Sequence, residues 1–279
     1  MAKLNMLDEI DKIVAKKHVS LGICDNYYLY QSCYVITMRE IYERSNTMKK
    51  LLLIPLLATV FAGQAVAEGW GGNAELGYVQ TGGNADTSSL NLKGKAVKDG
   101  EEWRTTAEAG ALKSDSAGTT TSEKYNASVQ EDWKLSESGY LFGRLTYEQD
   151  KFGGYNSRTT ETIGYGFDIM KSDEKQWNAE IGGGARQSED TTGTKVSDTV
   201  VRASTVFNWQ INKATKFTQE LSTEGGKEGY ITKSLTALTN QLAGNLSSKV
   251  SYAVQNNSKA PAGTKASDTI LSASLVFSY

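Results

Sequence analysis

From residue 70 onward the chain repeats one pattern. Stretches of about 10–14 residues alternate apolar and polar side chains, and clusters of Gly, Asn, Asp and Ser separate them. A period of two is that of a strand covered on one face only. Twelve such stretches can be marked, near 70–80, 88–98, 102–112, 122–135, 140–150, 158–170, 176–187, 198–211, 215–224, 230–243, 246–256 and 267–279. Strands of soluble proteins usually run about 5–6 residues, whereas a tilted strand crossing a bilayer needs about 9–11. The expected fold is therefore all-β: a transmembrane antiparallel up-and-down β-barrel of about 12 strands.

Alternation is clearest in four stretches. Val201, Ala203, Thr205, Phe207, Trp209 and Ile211 share one face; Ile163, Tyr165, Phe167 and Ile169 share another. Trp177, Ala179 and Ile181 form a third, and Leu246, Val250, Tyr252 and Val254 a fourth. Glu131 breaks the pattern by falling between Val129 and Trp133, and 230–243 is weakly apolar on either face. Closure follows from the solvent. An open sheet in hydrocarbon would strand N–H and C=O groups at several kcal/mol each, so the sheet must roll into a cylinder.

Connections alternate in length. Asp99-Gly100, Ser136–Gly139, Ser172–Lys175, Asn212–Ala214 and Ala243–Asn245 are short, and Asp-Gly is a strong hairpin signal. The segments Thr81–Asp86, Lys113–Thr121, Lys151–Ser157, Ser188–Ser197, Gly225–Gly229 and Asn257–Ala266 read as longer or looser. Short turns on the periplasmic side and longer loops outside are the bacterial-barrel rule. Aromatics gather at strand ends, with Trp70, Trp103, Trp133, Tyr140, Trp177, Trp209 and Tyr279 at one end and Tyr147, Phe152, Tyr155 and Tyr230 at the other. They are expected to form two interfacial girdles.

Upstream of the repeats, Met48-Lys49-Lys50 precedes the apolar run 51–62, and Ala65-Val66-Ala67 follows it. A basic start, a short apolar run and a small-x-small site make a secretory signal peptide. The expected organisation is a signal peptide over 48–67 and an outer-membrane barrel over 68–279. Residues 1–47 read as an over-extended gene start outside the fold, the alternative being a genuine cytoplasmic extension. Cys24, Cys33 and His18 all lie before residue 68. The remainder has neither a disulfide framework nor a Cys/His metal site, and no cofactor is expected. The whole chain carries a net charge of −2; residues 1–67 hold eight Lys/Arg against six Asp/Glu, leaving −4. No basic tract suggests nucleic acid.

The chain is not expected to be an enzyme. A serine nucleophile needs an adjacent base, and there is no histidine after residue 67. Ser122-Glu123-Lys124 and Ser247-Ser248-Lys249 read as ordinary strand residues. Gly164-Tyr165-Gly166 and Gly182–Gly184 are not phosphate loops, because no helix follows them. The informative set is instead one of inward charges. Glu75, Glu108, Glu148, Glu180 and Glu220 fall on the polar faces of strands one, three, five, seven and nine. Arg104, Arg144, Arg158, Lys93, Lys95 and Arg202 are matching inward bases. The lumen-lining set is thus Glu75, Arg104, Glu108, Arg144, Glu148, Glu180, Arg202 and Glu220. It either tunes passage through a pore or fills a closed barrel with paired charge.

The chain ends on Leu271, Ala273, Leu275, Phe277 and Tyr279 along one face of a strand. This is similar to the C-terminal signal of outer-membrane barrels that their assembly machinery reads. The opening Gly69-Trp70-Gly71-Gly72-Asn73-Ala74-Glu75-Leu76-Gly77-Tyr78, with Thr81, Asn84 and Thr87 after it, resembles the salt-induced outer-membrane protein family, a domain family of unknown function. The resemblance spans about 69–279, with an extra glycine at 82–83. It implies an outer-membrane barrel in a Gram-negative bacterium and a link to salt stress, without substrate or catalytic residues. The implied partners are outer-membrane lipid, lipopolysaccharide at the outer loop charges, and the assembly machinery at Phe277 and Tyr279. The function that follows is a narrow channel for ions or small polar solutes, or else a closed structural barrel serving envelope integrity.

Overall fold

A computed structural model describes residues 69–81, 87–150, 155–260 and 265–279. The expected signal segment and upstream extension, Phe152 and Pro261 lie outside the described residues. Twelve strands follow one another: β1 (Trp70–Thr81), β2 (Thr87–Asp99), β3 (Trp103–Ser116), β4 (Thr119–Lys134), β5 (Gly139–Asp150), β6 (Tyr155–Lys171), β7 (Lys175–Asp190), β8 (Lys195–Gln210), β9 (Thr215–Gly226), β10 (Gly229–Ala243), β11 (Leu246–Asn257) and β12 (Ser267–Ser278). Each pairs antiparallel with its sequence neighbours, and β1 pairs with β12, which closes the barrel. At that seam Asn73 faces Ser278 and Gly77 faces Ser274, and Gly72 and Tyr279 exchange N–H···O bonds of 3.1 Å.

The barrel is inside-out relative to a soluble one. Ile163 and Leu271 are 74% and 72% exposed on the outer face, and Ile181, Val201, Val250 and Leu275 share that face. Glu75, Gln130, Asp132, Arg158, Thr160, Thr162, Arg186, Ser251, Ser272 and Ser274 are buried within. An apolar exterior around a polar interior is the arrangement hydrocarbon selects, because only the lumen offers partners for charge. Val276, the exception in the last strand's polar face, points inward and is buried. Glu131 does face outward, where it accepts a 3.0 Å hydrogen bond from Thr105.

The two ends differ from expectation. At the near end, where β1 starts and β12 finishes, all connections are short, as read. Gly100 N–H donates to Trp103 O at 2.8 Å, and the Asn212 side chain accepts from Ala214 and Thr215 N–H. At the far end three segments expected as loops are largely strand. Ala117 and Gly118, both at positive φ, form a two-residue hairpin turn between β3 and β4. This is the conformation whose twist suits paired strands. Lys227 and Glu228 alone separate β9 from β10, and a tight turn around Asp190, which accepts from Thr192 and Thr194 N–H, joins β7 to β8. These segments are rich in Ser, Thr, Asp and Gly, so they carry no apolar alternation. Their backbone ladder nevertheless continues, giving 17 residues in β6 and 16 in β4, β7 and β8.

The aromatic side chains also depart in part from two outward girdles. Trp103 and Trp133 stack on the outer face with centroids 5.9 Å apart, and Trp177 meets Phe207 edge-on at 6.3 Å. Tyr140 and Tyr155, however, point into the lumen. Tyr140 is buried, and Tyr155 lies under Arg158 with the guanidinium 3.8 Å above its ring.

Candidate functional site: the charged lumen

Facing pairs in an antiparallel ladder share a side of the sheet, so the register assigns the lumen residues strand by strand. Glu75, Glu108, Glu180 and Glu220 are each the sixth residue of their strand, counted from the near end. The sixth residue of β5 is Arg144, and Glu148 lies four residues further along. The predicted acid ladder is therefore a ring of four acids interrupted by an arginine, with Glu148 set nearer the far end.

The ring is wired together. Glu108 sits between Lys95 at 3.0 Å and Arg144 at 3.5 Å. Arg144 donates to Gln130 at 3.1 Å and to Ser128 at 2.9 Å. Gln130 in turn donates to Asp132 at 2.9 Å and to Glu180 at 2.8 Å. Asp132 takes the Arg104 fork at 2.7 Å, and that guanidinium also lies 4.9 Å from the Tyr140 ring centroid. Glu180 further accepts from Tyr140 at 3.1 Å and Ser204 at 2.9 Å, with Arg202 at 3.6 Å. On the opposite wall Glu75 accepts from Lys249 at 2.8 Å and from Ser274 at 2.7 Å. All eight predicted residues face the lumen. Seven have side-chain partners, while the Glu220 carboxylate has no hydrogen bond or ion pair among the described residues.

Polar partners from distant strands, absent from the sequence reading, complete the site. Three contacts cross the far half of the lumen. Lys124 of β4 reaches Asp268 of β12 at 2.8 Å, Glu148 of β5 pairs with Lys233 of β10, and Tyr155 of β6 accepts from Asn257 of β11 at 2.8 Å. The near half is filled along β4 and β5, where Gln130, Asp132, Tyr140 and Phe142 are buried, and open along β2 and β9. There Lys93, Lys95, Lys216 and Glu220 face inward yet are exposed, which leaves space for solvent inside the barrel. Arg186 and Asp198 form a buried pair at 3.5 Å between β7 and β8.

The inward rings have a local cause. Phe142 and Tyr140 face Gly164 and Gly166 across the β5–β6 ladder. A Cβ on Gly166 would collide with the Tyr140 ring, so glycine is what lets the ring lie flat on the wall. Ser172 and Lys175 stand at the Ser-x-x-Lys spacing by which a lysine can serve a serine nucleophile. It is a turn: Ser172 Oγ accepts from Lys175 N–H at 3.0 Å, and the ammonium lies 5.4 Å from the Trp209 ring centroid.

Residues 74–279 match the family described as "Protein of unknown function, DUF481". The uncharacterized protein YdiY of Escherichia coli (strain K12) is 29% identical over 190 residues, covering 68% of this chain and 75% of YdiY. The COG4313 outer membrane channel from Pseudomonas putida F1 is 10% identical with a TM-score of 0.48, covering 75% of this chain and 95% of its own. A NanC porin gives 13% and 0.45, covering 74% and 97%. A KdgM porin gives 10% and 0.41, covering 75% and 99%. With a family match that runs from β1 through the final residue, the chain belongs to DUF481, a family of proteins of unknown function.

Proposed function

We propose that the chain is an outer-membrane barrel of a Gram-negative bacterium and acts as a narrow channel for ions or small polar solutes, without a catalytic role. The observation that carries this reading is the open β2 and β9 side of the near half: Lys93, Lys95, Lys216 and Glu220 point inward and remain exposed. The outer face supports the membrane setting, since Ile163, Ile181, Val201 and Leu271 have no protein cover. In this reading the short-turn end is periplasmic, residues 48–67 direct export, and Phe277 and Tyr279 present the last strand to the assembly machinery. Charges at the far end face lipopolysaccharide.

The link to salt or envelope stress, implied by the resemblance to the salt-induced family, has a physical counterpart. Ion pairs that cross a wet lumen weaken as salt rises, because the screening length falls from about 10 Å at 0.1 M to about 3 Å at 1 M. The three far-half contacts favour a second reading, a closed barrel filled by paired charge and serving envelope integrity. Purified protein in planar lipid bilayers separates the two. Discrete conductance steps above the lipid background are expected, and their absence overturns the channel reading.

A further inference from the structure

We infer that the near half of the lumen selects for small anions through Lys93, Lys95, Lys216 and Lys249, an inference that rests on the channel reading above. Lys93 and Lys95 lie on β2, Lys216 on β9 and Lys249 on β11, all on the inward parity. β2 and β9 stand on nearly opposite walls. Lys216 is nonetheless within electrostatic reach of both Lys95 and Lys249, so these ammonium groups share one space.

Partnering decides which charges a permeating ion feels. Arg104, Arg186 and Arg202 each have their own carboxylate, in Asp132, Asp198 and Glu180, while Arg158 shares Glu148 with Lys233 in the far half. Their fields are largely cancelled at the wall. Lys93 and Lys216 have no hydrogen bond or ion pair among the described residues. Lys249 and Lys93 must share Glu75, while Lys95 and Arg144 share Glu108. Glu220 is the remaining acid near Lys216. Five bases, Lys93, Lys95, Arg144, Lys216 and Lys249, thus stand around three acids, Glu75, Glu108 and Glu220, and the excess belongs to the exposed ammonium groups of Lys93 and Lys216. Glu224, an inward acid toward the far end whose side chain has no ion pair among the described residues, stands opposite Arg202 in register and within its field. A water-filled passage walled by hydrocarbon focuses such a field along its axis. Chloride, phosphate or a small carboxylate would be enriched there and potassium depleted.

Reversal potentials in planar bilayers test this, using the full exported protein and a tenfold potassium chloride gradient whose dilute side is about 0.1 M. Chloride is expected to be severalfold more permeant than potassium, and the preference should shrink in a roughly threefold gradient whose dilute side is about 1 M, where screening is short. Lys216→Gln should lower the preference, and Lys93→Glu with Lys216→Glu should reverse it. Lys113→Gln, on the outer face, should leave it unchanged. Conducting wild-type channels that are unselective or cation-selective overturn the inference while leaving the channel reading intact. Protein that folds but never conducts overturns the channel reading itself, and this inference falls with it.

Discussion

Glu148 of β5 and Lys233 of β10 form an ion pair across the barrel interior, joining strands that are not neighbours in the wall. Arg158 stands 3.8 Å from the same carboxylate, so two cations converge on one acid in the far half. A side chain bridging the lumen occupies the path a solute would take. Lys233→Ala is expected to raise single-channel conductance, because it clears the path while Arg158 still balances Glu148. Unchanged conductance would show that the narrowest point lies elsewhere.

Arg186 and Asp198 carry stability instead. Their side chains are only 4% and 6% exposed, and they are tied into neighbouring backbone. Arg186 donates to Gly229 O at 3.0 Å, and Asp198 accepts from Glu228 N–H at 2.9 Å, so the pair pins the β9–β10 turn to β7 and β8. Removing one partner of a buried pair leaves an uncompensated charge, at about 3–5 kcal/mol. Asp198→Ala should lower the unfolding free energy in urea by about that amount. A loss under about 1 kcal/mol, the size of an exposed pair, would show that water reaches the guanidinium.

Most strand positions were legible because one face of every strand meets a single environment. Ile163, Tyr165 and Phe167 turn outward together, which fixes Thr162, Gly164 and Gly166 as inward without any knowledge of neighbours. The same parity put Glu75, Arg104, Glu108, Arg144, Glu148, Glu180, Arg202 and Glu220 in the lumen. Parity fails where both faces are apolar. Gly139-Tyr140-Leu141-Phe142 has no alternation, and Tyr140 turns inward only because Gly166 on the next strand leaves room for its ring. The far-end hairpins were hidden because strands that run past the apolar belt have no reason to alternate. Cross-lumen partners such as Lys233 and Asp268 depend on how the closed sheet is staggered, which no single strand encodes.

The Tyr140–Gly166 contact yields a coupling test. A methyl at Gly166 displaces the ring and breaks its 3.1 Å hydrogen bond to Glu180. Gly166→Ala is expected to destabilise the barrel, and Tyr140→Ala to do so by leaving glycine uncovered. The double variant should be milder than the sum, with an interaction energy of about 0.5–3 kcal/mol. Strict additivity in urea unfolding would mean the two positions do not touch.

The membrane setting is tested most directly on the outer face. Ile163 lies near the middle of β6, and Leu271 lies on the outward face of β12 opposite Tyr252 of β11. Arginine on the lipid face of a barrel costs about 2–4 kcal/mol at the bilayer midplane and about 0–1 near the interfaces. Ile163→Arg and Leu271→Arg should therefore each lower the free energy of folding into phospholipid vesicles by about 2–4 kcal/mol. Val201→Arg, on the outward face of β8 and away from its ends, should behave like them. Tyr230→Arg, outward at the far end of β10, should cost far less. A depth-dependent series of this kind follows only if hydrocarbon lies against these side chains. A flat series, with all four variants within about 0.5 kcal/mol of the parent as for ordinary surface substitutions, would mean that water surrounds the barrel and would remove the outer membrane from the account.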